Sequence, residues 1–271
     1  MDRAKYSSIR PGIGGWTYPA WRGGVFFPEG LRQADELAFA ARAVSAIEIN
    51  ATFYRRQAPE SFAAWRAATP EGFVFALKGS RFVTNRKVLA TAGEGLANFF
   101  AQGLSELGDR LGPVVWQLAA TKQFEPDDIA AFLALLPASV DGLPLRHVIE
   151  VGHSSFACPE FVALARAAGV AICYSDHPDR RPIADRTAPL AYARLQGMKA
   201  KVRTGYSQSE IARIAEIARA WATGRCPPGL PYAGDRAAGE GAAGEVFVFF
   251  INGAKERAPA AAQALRRALA R

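Results

Sequence analysis

Eight short apolar runs recur along the chain, each ending in a polar or turn-forming residue. They cover residues 10–15, 46–50, 73–78, 113–118, 147–151, 170–175, 191–196 and 246–252. Most gaps between them carry apolar positions at three- and four-residue spacing. RQADELAFAARAV, PESFAAWRAA, GEGLANFFAQGLSELGDRL, PDDIAAFLALL, PEFVALARAA, SQSEIARIAEIARAWA and PAAAQALRRALAR all read as amphipathic helices. Strands alternating with helices imply parallel pairing through right-handed crossovers. Eight such units in 271 residues predict an α/β chain folded as a single TIM-type (β/α)8 barrel domain, residues 1–271. A doubly wound open sheet is the competing architecture. Against it, the first strand–turn stretch, GIGGWTYPAW, lacks the GxGxxG spacing that brings a helix N-terminus to a pyrophosphate.

Two gaps break the rhythm. Residues 176–189, DHPDRRPIADRTAP, lack apolar periodicity and hold three prolines, so strand six is expected to have an irregular or missing helix after it. Residues 224–244 are rich in glycine, alanine and proline and read as a flexible insertion before the last strand.

Alternation within the strands fixes which side chains point into a barrel. In IEINATFYRR, residues 47–56, Ile47 and Ile49 face the helices by parity while Glu48 and Asn50 face inward. Lys78, Gln117, Glu150, Asp176, Arg194, Gln196 and Asn252 lie at or near the ends of later strands. Polar residues thus gather at the C-terminal strand ends, where barrel enzymes build their sites. Two readings stand. Glu48 and Glu150 neutralise Lys78 and Arg194 as a buried network, or the set binds and transforms a substrate.

Charge changes the balance. The formal net charge is +8 and the pI about 9.7. Arg55 and Arg56 follow strand two; Arg81, Arg86 and Lys87 follow strand three; Arg180, Arg181 and Arg186 follow strand six; Lys199, Lys201 and Arg203 follow strand seven. All fall on the expected active-site face, which favours an anionic ligand. Trp16, Tyr18, Trp21, Phe26, Phe27, Phe53 and Tyr54 crowd the same rim, able to stack on a base or sugar or to pack the first loop.

Other chemistries have less support. Glu48, Glu150, His153, Asp176 and His177 are metal-ligand types near strand ends, but no HxH or HExxH spacing occurs; no cofactor is expected, with a divalent metal as the less favoured alternative. No GxSxG is present. Cys158, Cys173 and Cys226 are odd in number and far apart, which argues against a disulfide framework. No long apolar segment follows the N-terminal charges, and no run approaches the roughly 20 residues of a membrane helix. A cytoplasmic protein is expected, with no membrane partner.

The motifs GGWTYPAW, EINATFYR, TPEGFVFALKGSRFVTN, LGPVVWQL, IEVGHSSF, YSD, YARLQG and VFVFFING occur in an order similar to that of the YecE-like proteins, domain of unknown function family 72. The resemblance runs from about residue 9 to residue 252 and implies one TIM-type barrel without implying a reaction. It also implies histidine where this chain has Asn85, arginine where it has Gly152 and histidine where it has Gln196. QLPP becomes QLAA at residues 117–120, and Asn-Asn becomes Asn252-Gly253. Glu48, Asn50, Tyr54, Lys78, Gln117, Glu150, His153, Asp176, Arg194 and Asn252 match the family pattern. Either these suffice for the family's activity, or this chain's activity is altered or lost.

The expected function is that of a hydrolase-like enzyme on an anionic, phosphate-bearing or nucleotide-like substrate. Glu48, Glu150 and Asp176 are its candidate catalytic residues. Trp16, Tyr18, Asn50, Tyr54, Lys78, Arg81, Gln117, His153, Arg194 and Asn252 are its candidate binding residues. The alternative is a non-catalytic nucleic-acid-binding protein using the basic, aromatic rim.

Overall fold

The computed structural model describes residues 8–271. Residues 1–7, on which part of the signal-peptide expectation rests, lie outside the described residues. Eight parallel strands close into a barrel: β1 (Ile9–Gly14), β2 (Ala46–Ile49), β3 (Val74–Lys78), β4 (Leu111–Gln117), β5 (His147–Glu150), β6 (Ala171–Ser175), β7 (Leu190–Leu195) and β8 (Glu245–Phe250). Each pairs with its sequence neighbours, and β8 closes on β1 with Ile9 opposite Val246. Every strand lies within two residues of its expected limits.

The longer helices are α1 (Glu36–Ala43), α2 (Pro59–Ala67), α3 (Gly93–Phe100), α4 (Pro126–Ala134), α5 (Pro159–Ala167), α6 (Gln208–Ala222) and α7 (Ala258–Leu269), and single helical turns, Ala51–Tyr54 and Arg81–Thr84, follow β2 and β3. Proline opens α2, α4 and α5, where its missing N–H costs nothing. A capping box starts α6: Glu210 N donates to Ser207 Oγ at 3.2 Å, and Ser207 N donates to Glu210 Oε2 at 2.7 Å. The stretch expected as one helix over residues 93–111 ends at Phe100. Gly103 then turns the chain at φ 89°, and a 3-10 segment, Leu104–Arg110, leads into β4.

No helix follows β6. Residues from the segment before β8 lie against the extended chain there. Ala184 N donates to Pro231 O at 2.8 Å, Asp185 accepts from Ala233 N and Gly234 N at 2.7 and 3.0 Å, and Arg186 donates to Gly239 O and Ala242 O. Thus the two irregular stretches of the sequence pack on each other, beside Arg166 of α5, which donates to Arg186 O.

The core has two layers. Ile13, Ile47, Ile49, Phe75, Leu77, Val114, Trp116, Ile149 and Phe250 face the helices. Ala46, Val74, Ala76, Val115, Val148, Cys173, Tyr192, Phe247 and Phe249 fill the barrel interior. The period-two alternation of each strand is what divides them. Phe26 and Phe27 join Trp21 and Phe39 in an aromatic cluster that packs the first loop down. Among the described residues, no helix is long and apolar enough to cross a membrane.

His147, at the start of β5, accepts from Trp116 Nε1 through Nδ1 at 3.2 Å and donates from Nε2 to Pro137 O at 2.8 Å. This fixes a neutral ring. Burial lowers its pKa below the usual 6.5, against the weaker pull of the Pro137 carbonyl. The unfolded chain therefore takes up a proton near pH 6.5 that the folded chain refuses, and stability is lost as pH falls below that value. Urea midpoints are expected to fall between about pH 7.5 and 5.5, with a shallower slope in His147→Gln.

Candidate functional site

The C-terminal strand ends surround a cavity of about 450 Å3. Beneath it lies a buried ion cluster built from four strands. Arg194 of β7, 2% exposed, crosses the barrel to β2. Its Nε and Nη2 donate to Glu48 Oε2 and Oε1, both at 3.0 Å, and its Nη1 donates to Glu150 Oε2. Tyr192 OH, two residues earlier on the same inward face, donates to Glu48 Oε2 at 2.7 Å. Gln117, the register partner of Glu150, donates Nε2 to Glu150 Oε2 at 2.8 Å. Burial works against the Arg194 charge, but Glu150 and Glu48 more than offset it and hold the guanidinium firmly protonated. Burial, reinforced by Glu48, raises the Tyr192 pKa and keeps that hydroxyl a donor.

Lys78 stands apart from this cluster. Among the described residues its ammonium has no ion-pair or hydrogen-bond partner. It rests on the Phe53 ring, 3.9 Å from the centroid. Burial, then the nearby Arg194 charge, lower its pKa from 10.5 to about 8, although Glu48 and Glu150 pull the other way. Its backbone is pinned by Thr52 Oγ1, which donates to Lys78 O at 2.8 Å, and by Gly79 N, which donates to Val115 O at 2.9 Å. The Trp116 ring lies so close to Gly79 that a Cβ there would sit 2.2 Å from it.

Trp16, Tyr18, Asn50, Tyr54, Lys78, Gln117, Arg194 and Asn252 line the cavity together. Trp16 stands edge-on to Trp65 at 5.4 Å, and Tyr54 is 58% exposed at the rim. Glu48 and Glu150 lie wholly buried under Arg194, outside the lining. Asp176, Arg81 and His153 are also outside it. Asp176 accepts from Gln196 N, Gly197 N at 3.1 Å and Tyr206 OH at 2.6 Å, which fastens the loop after β7. Arg81 stacks over Phe82 at 5.4 Å, and His153 caps the turn Ser154–Phe156. Asn252 Nδ2 donates to Gln196 Oε1 at 2.8 Å, and Gln196 Nε2 donates to Ser175 Oγ at 3.0 Å. Among the described residues, no three His, Cys, Asp or Glu side chains come together as a metal site.

The profile of DUF72, a protein family of unknown function, matches residues 10–271. The chain belongs to the DUF72 family. A DUF72 protein of Thermotoga maritima is 20% identical, with 97% of this chain and 99% of that one covered at a TM-score of 0.74. One from Enterococcus faecalis V583 is 19% identical, covers 97% and 96%, and gives 0.71. The structure of SacUVDE shares the fold at 12% identity, with 96% and 98% covered and a TM-score of 0.54. A comparison with curated proteins gives no match.

Three features of this DUF72 barrel escaped the sequence reading. Lys255 lines the cavity from the loop after β8, its ammonium 5.0 Å from the Tyr18 ring, and burial lowers its pKa. That loop reads Lys255-Glu256-Arg257, so its mixed signs do not stand out as basic in the sequence. Trp65 has the helical spacing of a core residue and nothing to mark it as cavity lining. Gly152, where the family resemblance implies arginine, leaves room for another: a Cβ there would lie 3.1 Å from Arg180 Nη1, which stands 3.8 Å from Glu150 Oε1.

Proposed function

We propose that this protein is an enzyme acting on an anionic small molecule, such as a phosphate ester, bound above Lys78. The observation that carries this reading is the composition of the cavity wall. Arg55, Lys78, Arg194 and Lys255 line it, and among the described residues no aspartate or glutamate does. Arg194 is neutralised from below, but Lys78 and Lys255 are held at lowered pKa by burial. Desolvated ammonium groups without a carboxylate are costly, and a bound anion relieves that cost. Trp16, Tyr18 and Tyr54 supply faces for a sugar or base.

Hydrolysis assisted by a carboxylate base finds less support than the sequence suggested, because both oxygens of Glu48 are engaged and Glu150 is buried. Lys78, its pKa lowered by burial to about 8, is the better general acid or base. The test is a panel of phosphate esters and sugar phosphates with wild type and Lys78→Met. Removing one charged contact is expected to weaken binding roughly 10- to 100-fold. Equal binding by both proteins would contradict the assignment.

The pH dependence has a definite sign. An anion raises the Lys78 pKa, so the bound form holds more protons above about pH 8. Pyrophosphate affinity, measured by calorimetry, is expected to be insensitive to this group below that pH and to fall above it.

A second reading is single-stranded nucleic-acid binding. Tyr54 and Phe82 are 58% and 63% exposed, next to Arg55 and Arg81. That is a stacking and phosphate-binding combination. It predicts oligonucleotide binding that weakens steeply with salt, and no binding at low salt would eliminate it.

A further inference from the structure

The cavity floor carries an amine placed for bond formation as well as for charge. Lys78 is only 8% exposed, ends a barrel strand, and opens into the cavity. Two glutamates in the same barrel could have paired with it. Arg194 instead occupies both oxygens of Glu48 and one of Glu150, and adds its own positive charge. The Phe53 face gives the amine an apolar neighbour that cannot accept its proton. With a pKa of about 8 rather than 10.5, the neutral form near pH 7 is enriched roughly 300-fold over an ordinary lysine. Arg55 and Lys255 remain to hold an anionic group of the same ligand.

We infer that Lys78 forms an imine with an aldehyde or ketone that carries a phosphate or carboxylate group. The inference rests on the anion-binding reading and narrows its ligand to a carbonyl compound. The lone pair of the neutral amine attacks the carbonyl carbon, and the C=O π pair moves to oxygen. A proton passes from nitrogen to that oxygen by exchange with solvent, giving a carbinolamine. The hydroxyl takes a proton from solvent and leaves as water with its bonding pair, and the nitrogen lone pair closes the C=N bond, giving the protonated imine. One water is released and nothing is oxidised or reduced. Among the described residues no carboxylate lines the cavity to pair with the resulting iminium, so the anionic group of the ligand is its counter-charge.

The test treats the full chain with glyceraldehyde 3-phosphate or, separately, pyruvate, reduces it with borohydride, and maps labelled lysines by mass spectrometry. Inorganic phosphate binding is measured in parallel. Lys78 is expected to be labelled by at least one probe, at least about tenfold faster than the exposed Lys87. The labelling is expected to slow with excess phosphate and to rise with pH toward about 8.5. Which probe reacts distinguishes a phosphate-bearing from a carboxylate-bearing ligand. Lys78→Arg, which keeps the charge but has no primary amine, should lose the label. Labelling of Lys78 no faster than that of Lys87, or directed to Lys255, overturns the inference. Phosphate binding without Lys78 labelling refutes the imine and leaves the anion reading standing; absence of both refutes both.

Discussion

Arg194→Met is expected to destabilise the protein by about 3–5 kcal/mol, the cost typical of removing one partner from a buried ion cluster. Arg194 is the counter-charge that reaches Glu48 and the closer of the two that reach Glu150, and both carboxylates are wholly buried. Without it, among the described residues, Glu48 retains the Tyr192 hydroxyl, and Glu150 retains Gln117 and the distant Arg180. Urea unfolding followed by circular dichroism reads the loss directly. Arg194→Met combined with Glu48→Gln and Glu150→Gln should recover much of it, because neutral groups of similar size remove the uncompensated charge. A loss below about 1 kcal/mol in the single variant would mean that the cluster is hydrated and not buried as described.

Lys78→Met should move stability the opposite way while weakening anion binding. Keeping the ammonium charged in the fold, with its pKa lowered from 10.5 to about 8, costs on the order of 3 kcal/mol. Allowing for residual hydration at the cavity, a gain of roughly 1–3 kcal/mol near pH 7 is expected. The sign follows from linkage. The unfolded chain binds this proton more tightly than the folded one, so the penalty is fully present below about pH 8 and disappears as pH rises toward 10.5. The stability difference between variant and wild type should narrow over the same range. A residue whose removal stabilises the fold and weakens binding is retained for its function. A structural lysine would give the reverse result.

The eight strands were legible because each carries a short apolar run bounded by polar or turn residues, and the missing helix after β6 showed as a stretch without periodicity. Parity alone placed Glu48 inward in IEIN, and the structure agrees. The sequence could not show how Lys78, Arg194, Glu48 and Glu150 pair. Glu48 and Arg194 are 146 positions apart, and their pairing depends on the width of the closed barrel. Both possible pairings of the two cations satisfy the same pattern of charges. Geometry decides that Arg194, with its planar fork, takes the carboxylates and leaves Lys78 unpaired. The exchange at Gly152 is of the same kind: the arginine that approaches Glu150 comes from residue 180, which no local motif indicates.

Lys78 is a buried ammonium without a counter-charge among the described residues, and we propose that it takes an anion. Its titration can be followed by NMR of the lysine ε-carbon in protein labelled with 13C, with and without inorganic phosphate. A midpoint near 8 in the free protein that rises when phosphate is added is the predicted result. A midpoint at the ordinary 10.5, or one near 8 that phosphate does not move, would contradict the account.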